Sequence, residues 1–148
     1  MNRAPSAVAG GVAGTAVMSV MLLLLDVETR STMELFDVVA RFIGLPGDPV
    51  LGFVVFAAAG VVAWPLLFLA LERYLPRGPD PAARGVVFGT ILWIPFVITG
   101  RGDIGGPLLV FFGVYTLFAH WLYGFTLGAV YGRLLESSAD RPTPGGTR

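Results

Sequence analysis

Four stretches of the chain are almost unbroken hydrocarbon, at about 7–25, 50–71, 82–100 and 107–132. The first, second and fourth hold no charged residue, and the third holds Arg84 near its start. A bilayer core about 30 Å thick needs roughly 20 apolar residues of helix to cross it. Backbone groups find no water in hydrocarbon, so such runs predict helices or a closed barrel. Barrel strands alternate apolar and polar residues, and Met21-Leu22-Leu23-Leu24-Leu25 does not. The first run is longer than a secretory signal, and Asp26-Val27-Glu28 follows it instead of a small-residue cleavage site. It is therefore read as a retained helix.

The polar spacing between the first two runs changes period. Ser31-Thr32-Met33-Glu34 has the spacing of a capping box. Met33, Phe36, Ala40 and Ile43 then share one helical face, and Glu34, Asp37 and Arg41 share another. Gly44 and Pro46 give a stop signal. A short amphipathic helix is predicted over about 32–43, lying in the outer interface or packed over the mouth of the bundle. The segment 136–148 is polar and rich in Ser, Pro and Gly, and predicts a disordered tail. The expected fold is an all-α integral membrane protein: one domain over 1–135, with four transmembrane helices in two hairpins plus a short outer interfacial helix.

Composition agrees. Charged residues are 14% of the chain, against about 25% in ordinary soluble domains. The formal net charge is zero and no basic cluster exists, so nothing points to nucleic acid. Cysteine is absent, which excludes disulfides, thiolate metal sites and a cysteine nucleophile. Every basic residue is Arg. With four spans, Arg3, Arg73, Arg77, Arg84, Arg133, Arg141 and Arg148 fall on one side, and Arg30, Arg41 and Arg101 on the other. That asymmetry predicts a multi-pass cell-membrane protein with both termini cytoplasmic.

Small residues mark where membrane helices approach closely. Gly10 and Gly14, Gly85 and Gly89, and Gly124, Gly128 and Gly132 recur at intervals of four. They are read as packing positions inside one bundle rather than as a dimer interface. Gly10–Thr15 and Gly85–Thr90 both read Gly-x-Val-x-Gly-Thr, which suggests two hairpins related by a parallel pseudo-repeat. Pro65 and Pro95 predict kinks within the second and third spans. Thr15, Ser19, Thr90, Thr99 and Thr126 are read as packing residues whose hydroxyls bond back to their own helix.

His120 is the only histidine and sits near the middle of the fourth run. Ionisable groups at that depth are costly and face a bundle interior or cavity. Thr116, His120, Gly124 and Gly128 recur every four residues as one stripe, with Tyr123 on the adjoining face. His120, Thr116 and Tyr123 are thus the candidate polar or ligand site. An imidazole could ligate haem iron or another metal, bond a quinone carbonyl, or relay protons. No second His, no Cys and no carboxylate falls within the four spans as drawn, so no metal site and no resident cofactor is expected. A haem or quinone shared with a partner at His120 is the remaining cofactor option. The other option is a His hydrogen-bonded to Thr, Tyr or a backbone carbonyl, joining helices.

Gly10 to Met18 and the segment His120-Trp121-Leu122-Tyr123-Gly124-Phe125-Thr126-Leu127-Gly128-Ala129-Val130-Tyr131-Gly132 together resemble small four-helix membrane proteins of unknown function from haloarchaea and some bacteria. The resemblance implies the four-helix membrane fold and carries no activity. It also implies a second histidine in the second helix for some members, which Phe56 to Gly60 lacks here. No hydrolase elbow, metalloprotease helix or nucleotide motif occurs, so an enzyme is not expected. The expected function is a non-catalytic accessory or assembly subunit of a larger membrane complex, a respiratory one being a candidate setting. Its partners would be the lipid bilayer and other membrane subunits or a second copy. A small transporter or channel using a polar site near His120 is the alternative.

Overall fold

The structure is a computed structural model and describes residues 3–29, 35–76, 78–100, 102 and 104–139. The capping-box residues Ser31 to Glu34, the arginines Arg30, Arg77, Arg101, Arg141 and Arg148, Asp103, and the tail from 140 onward lie outside the described residues. Among the described residues the chain is all-helical. We number the helices α1 (Arg3–Glu28), α2 (Leu35–Phe42), α3 (Pro49–Tyr74), α4 (Pro81–Gly100) and α5 (Gly106–Ala139). All but α2 are long and apolar enough to cross a membrane.

The same device starts α3 and α4. Asp48 Oδ1 accepts the Leu51 N–H at 2.9 Å, and Asp80 Oδ1 accepts the Ala82 N–H at 3.0 Å. Pro49 and Pro81 follow, each at a position whose N–H would have no helical partner. α5 runs further than its apolar stretch. It stays helical through Ala139, so the predicted tail does not begin at Glu136; the Ser137 and Ser138 hydroxyls bond back to the Arg133 and Leu134 carbonyls. At about 1.5 Å per residue it is roughly 50 Å long, well beyond a hydrocarbon core.

The short helix is also corrected. Its buried positions are Leu35, Asp37, Val38 and Ala40, while Phe42 and Ile43 are exposed. Asp37 turns inward because its carboxylate accepts from the Gly47 N–H and from Arg41 Nε, which pins the following loop to the helix. The Phe36 carbonyl lies against Gly52, and the Phe36 ring meets Phe53 and Phe56 at 5.2 and 5.9 Å. This helix is packed onto α3.

α5 is the hub. α1 and α4 run along it over most of their length, whereas α3 packs on α1 and α2. Among the described residues, α3 meets α4 and α5 through side chains rather than through extended backbone contact. Leu22, Leu25, Phe68, Phe88, Phe112, Leu127 and Tyr131 fill the interior. Gly10 lies at Leu127 and Gly14 at Tyr123, while Gly85 lies at Gly124 and Gly89 at His120. α1 and α4 are therefore both antiparallel to α5, and Arg3, Glu72, Pro81 and Tyr131 gather at one end of the bundle.

Candidate functional site

The glycines predicted to pack all lie against neighbouring helices of the same chain. A Cβ at Gly10 or Gly14 would press on the Leu127 or Tyr123 carbonyl of α5. A Cβ at Gly85 would overlap the Gly124 carbonyl, one at Gly124 the Gly85 carbonyl, and one at Gly89 the His120 carbonyl. Gly128 meets the Pro81 carbonyl, and a Cβ at Gly132 would reach the Pro81 ring at 3.2 Å. Two glycine ladders thus clamp the backbone of α5 on both sides of His120 and fix where its side chains point.

Pro65 acts differently from a simple kink. The segment Ala59–Ala63 is a turn of π-helix, and the Trp64 N–H reaches back five residues to the Ala59 carbonyl. The Gly60 carbonyl then loses its ordinary partner, Trp64. Its wider-turn partner would be residue 65, a proline without an N–H. The orphan is satisfied across the bundle: the Tyr123 hydroxyl donates to Gly60 O at 2.8 Å. α1 approaches the same turn through Gly11, whose Cβ would collide with the Pro65 ring and press on the Gly60 and Val61 carbonyls. The Pro65-to-Tyr123 connection was missed by sequence reasoning, although Pro65 itself was visible.

Thr116, His120 and Tyr123 do not form one cluster of side chains. The Thr116 hydroxyl donates to Phe112 O at 2.7 Å and accepts from Trp93 Nε1 at 3.2 Å. It is the Thr116 carbonyl that holds His120, 2.7 Å from Nδ1. A carbonyl only accepts, so Nδ1 carries the hydrogen. His120 is 5% exposed, and its Nε2 has no hydrogen-bond partner among the described residues. The imidazole packs beside Phe96 at 5.1 Å. Thr90, expected to serve packing alone, also accepts from Trp121 Nε1 at 2.8 Å. Thr15 differs from expectation: its buried Oγ1 bonds to nothing among the described residues.

His120 and Tyr123 stand in the wall of a cavity of about 340 Å³. Every helix contributes to that wall: Met18 and Leu22 of α1, Val39 and Phe42 of α2, Phe56 and Gly60 of α3, Leu92 and Phe96 of α4, and the two α5 residues. The cavity occupies the gap between α3 and α4. Aromatic contacts flank the gap, Phe42 of α2 on Phe96 of α4 at 6.3 Å and Phe68 of α3 on Phe88 of α4 at 5.5 Å. Of the wall residues, Phe42, Trp64 and Pro95 are exposed. A concave apolar chamber with few polar groups is the usual form of a small-molecule site.

A second polar group escaped the sequence reading. Glu72 is buried at the end of α3, where Arg3 pairs with it at 2.8 Å and the Tyr131 hydroxyl donates to it at 3.2 Å. Its signal was positional: Pro65, Phe68 and Glu72 follow helical spacing along the buried side of α3.

No curated protein and no solved structure matches the chain. A family model, described as a family of unknown function, matches residues 1–141. The span takes in every helix and all the residues of the cavity wall, and on that match the chain belongs to the family DUF6789.

Proposed function

We propose that this chain is a multi-pass cell-membrane protein that acts as a non-catalytic accessory subunit, holding a small apolar molecule in the cavity beside His120 for a larger membrane complex. The carrying observation is the chamber itself, walled by all five helices, with His120, whose Nε2 has no partner among the described residues, in its wall and Trp64 and Pro95 exposed beside it, so that its mouth is read as lying between α3 and α4. The bilayer would supply the ligand through that opening. Arg3, Arg73, Arg84 and Arg133 belong to the shared end of the bundle and Arg41 to the other, which supports cytoplasmic termini. The apolar outer faces of α3 and α4 would meet lipid or another subunit.

A transporter needs a polar route across the bundle. Against that reading, the ring contacts of Phe68 with Phe88 and with Tyr131 fill the interior between the cavity and the Glu72 end. The test is native mass spectrometry of the protein released from its own membrane. The expected result is one small apolar molecule retained per chain, and none in Ala59→Leu, where the added side chain occupies the chamber. An empty native chain would overturn the proposal.

A further inference from the structure

We infer that the molecule held in this cavity is a lipophilic phenol or alcohol, bound by its hydroxyl hydrogen to His120 Nε2. The inference rests on the binding reading above and names its ligand class. Nδ1–H is spent on the Thr116 carbonyl. A second proton on Nε2 would make an imidazolium, and no charged side chain lines the chamber to pair with it. An unpaired charge among hydrocarbon is strongly disfavoured. Nε2 therefore presents a lone pair and asks for a donor. The neighbouring Tyr123 hydroxyl has given its hydrogen to Gly60 O, so its oxygen also can only accept.

This polarity sorts the candidate ligands. A quinone or ketone carbonyl has no hydrogen to give His120 Nε2, so the quinone-carbonyl option raised by the sequence does not match this tautomer at His120, and the one other N–H of the wall, the indole of Trp64, belongs to an exposed residue. Haem iron would take the lone pair, but the acidic groups of the macrocycle would find no Arg in the wall. Carboxylates and phosphates meet the same lack. A neutral hydroxyl on an apolar body satisfies Nε2 and leaves the rest of the molecule to Phe56, Phe96, Leu22 and Leu92. The volume, about 340 Å³, is roughly twice that of an engineered cavity that takes benzene. It accommodates a ring with short substituents, and a longer tail would leave between Trp64 and Pro95.

The experiment is equilibrium dialysis of the purified full-length chain in detergent with para-hexylphenol, its methyl ether para-hexylanisole, and 1-octanol. The phenol is expected to bind about tenfold more tightly than the ether, the scale of one hydrogen bond made in an apolar site. In His120→Leu the preference should vanish while the ether still binds. Tighter binding of octanol than of the phenol would assign the site to aliphatic alcohols within the same class. Equal binding of phenol and ether by the native chain would overturn the hydroxyl inference and leave the cavity reading standing. Binding of none of the three would overturn both. The native comparison involves no substitution, so its outcome is independent of any folding defect in the variant.

Discussion

Replacing Tyr123 by Phe keeps the ring in the cavity wall and removes one hydroxyl. That hydroxyl is the cross-helix partner of Gly60 O, 2.8 Å away, and within its own helix that carbonyl has neither the Trp64 N–H nor an N–H at Pro65. The substitution should cost the penalty of a buried orphan carbonyl, about 1–3 kcal/mol, rather than the smaller net worth of an ordinary hydrogen bond. The reasoning predicts more than a loss. In Pro65→Ala, residue 65 regains an N–H, the α-helical ladder can close through the turn, and Trp64 can return to Gly60 O. Tyr123→Phe should then cost less than about 1 kcal/mol, giving a coupling of about 1–2 kcal/mol between two residues on different helices. Pro65→Ala also loses contact with Gly11, but that loss is common to both arms of the cycle and cancels. Equilibrium unfolding of the four proteins in mixed micelles, followed by loss of helical dichroism, measures the cycle. Additive effects would refute the claim that proline, π turn and tyrosine form one unit.

Four further substitutions test the packing and the buried polar groups. Gly124→Ala puts a methyl on the Gly85 carbonyl and should destabilise by about 1–3 kcal/mol. Gly132→Ala meets only the Pro81 ring at 3.2 Å and should be near neutral, because the gain in helix propensity of about 1 kcal/mol offsets the contact; the same unfolding titration compares them. Thr15→Val removes a buried hydroxyl without a partner among the described residues, so it should stabilise by about 1 kcal/mol, read as a rise in melting temperature. Arg3→Gln leaves the buried Glu72 carboxylate with only Tyr131 among the described residues and should cost about 1 kcal/mol, partly restored by adding Glu72→Gln.

The number and apolar character of the long helices were legible because hydrocarbon thickness and backbone satisfaction leave so few solutions, whereas the polar extension of α5 to Ala139 was not. The inward direction of His120 was legible too, since it shares a stripe with glycines that could only be packing against something. The partners were not. Gly10 and Gly85 carry the same local pattern, and nothing in that pattern says that both lie on one central helix. Glu72 was missed because a span drawn on hydropathy stops at its first charge, whereas the buried side of α3 continues one residue past Leu71. Asp37 was placed on a solvent face because its real partners, the Gly47 N–H and Arg41, depend on how the following loop folds back. The cavity itself depends on a failure of contact. α3 and α4 stay apart above the Phe68–Phe88 contact, with α2 reaching α4 through Phe42, and no residue pattern announces a gap.

A lipophilic molecule held between α3 and α4 beside His120 can be caught where it lies. Photo-crosslinking in native membranes with a diazirine-bearing alkylphenol, followed by peptide mapping of the adducts, is the test. Adducts should concentrate on Met18, Phe56, Trp64 and Tyr123, which line the chamber, and excess para-hexylphenol should abolish them. Adducts spread over the exposed Leu23, Leu24 and Val27 of α1, indifferent to competitor, would mean that the phenol sees only lipid-facing surface, and the account would fail.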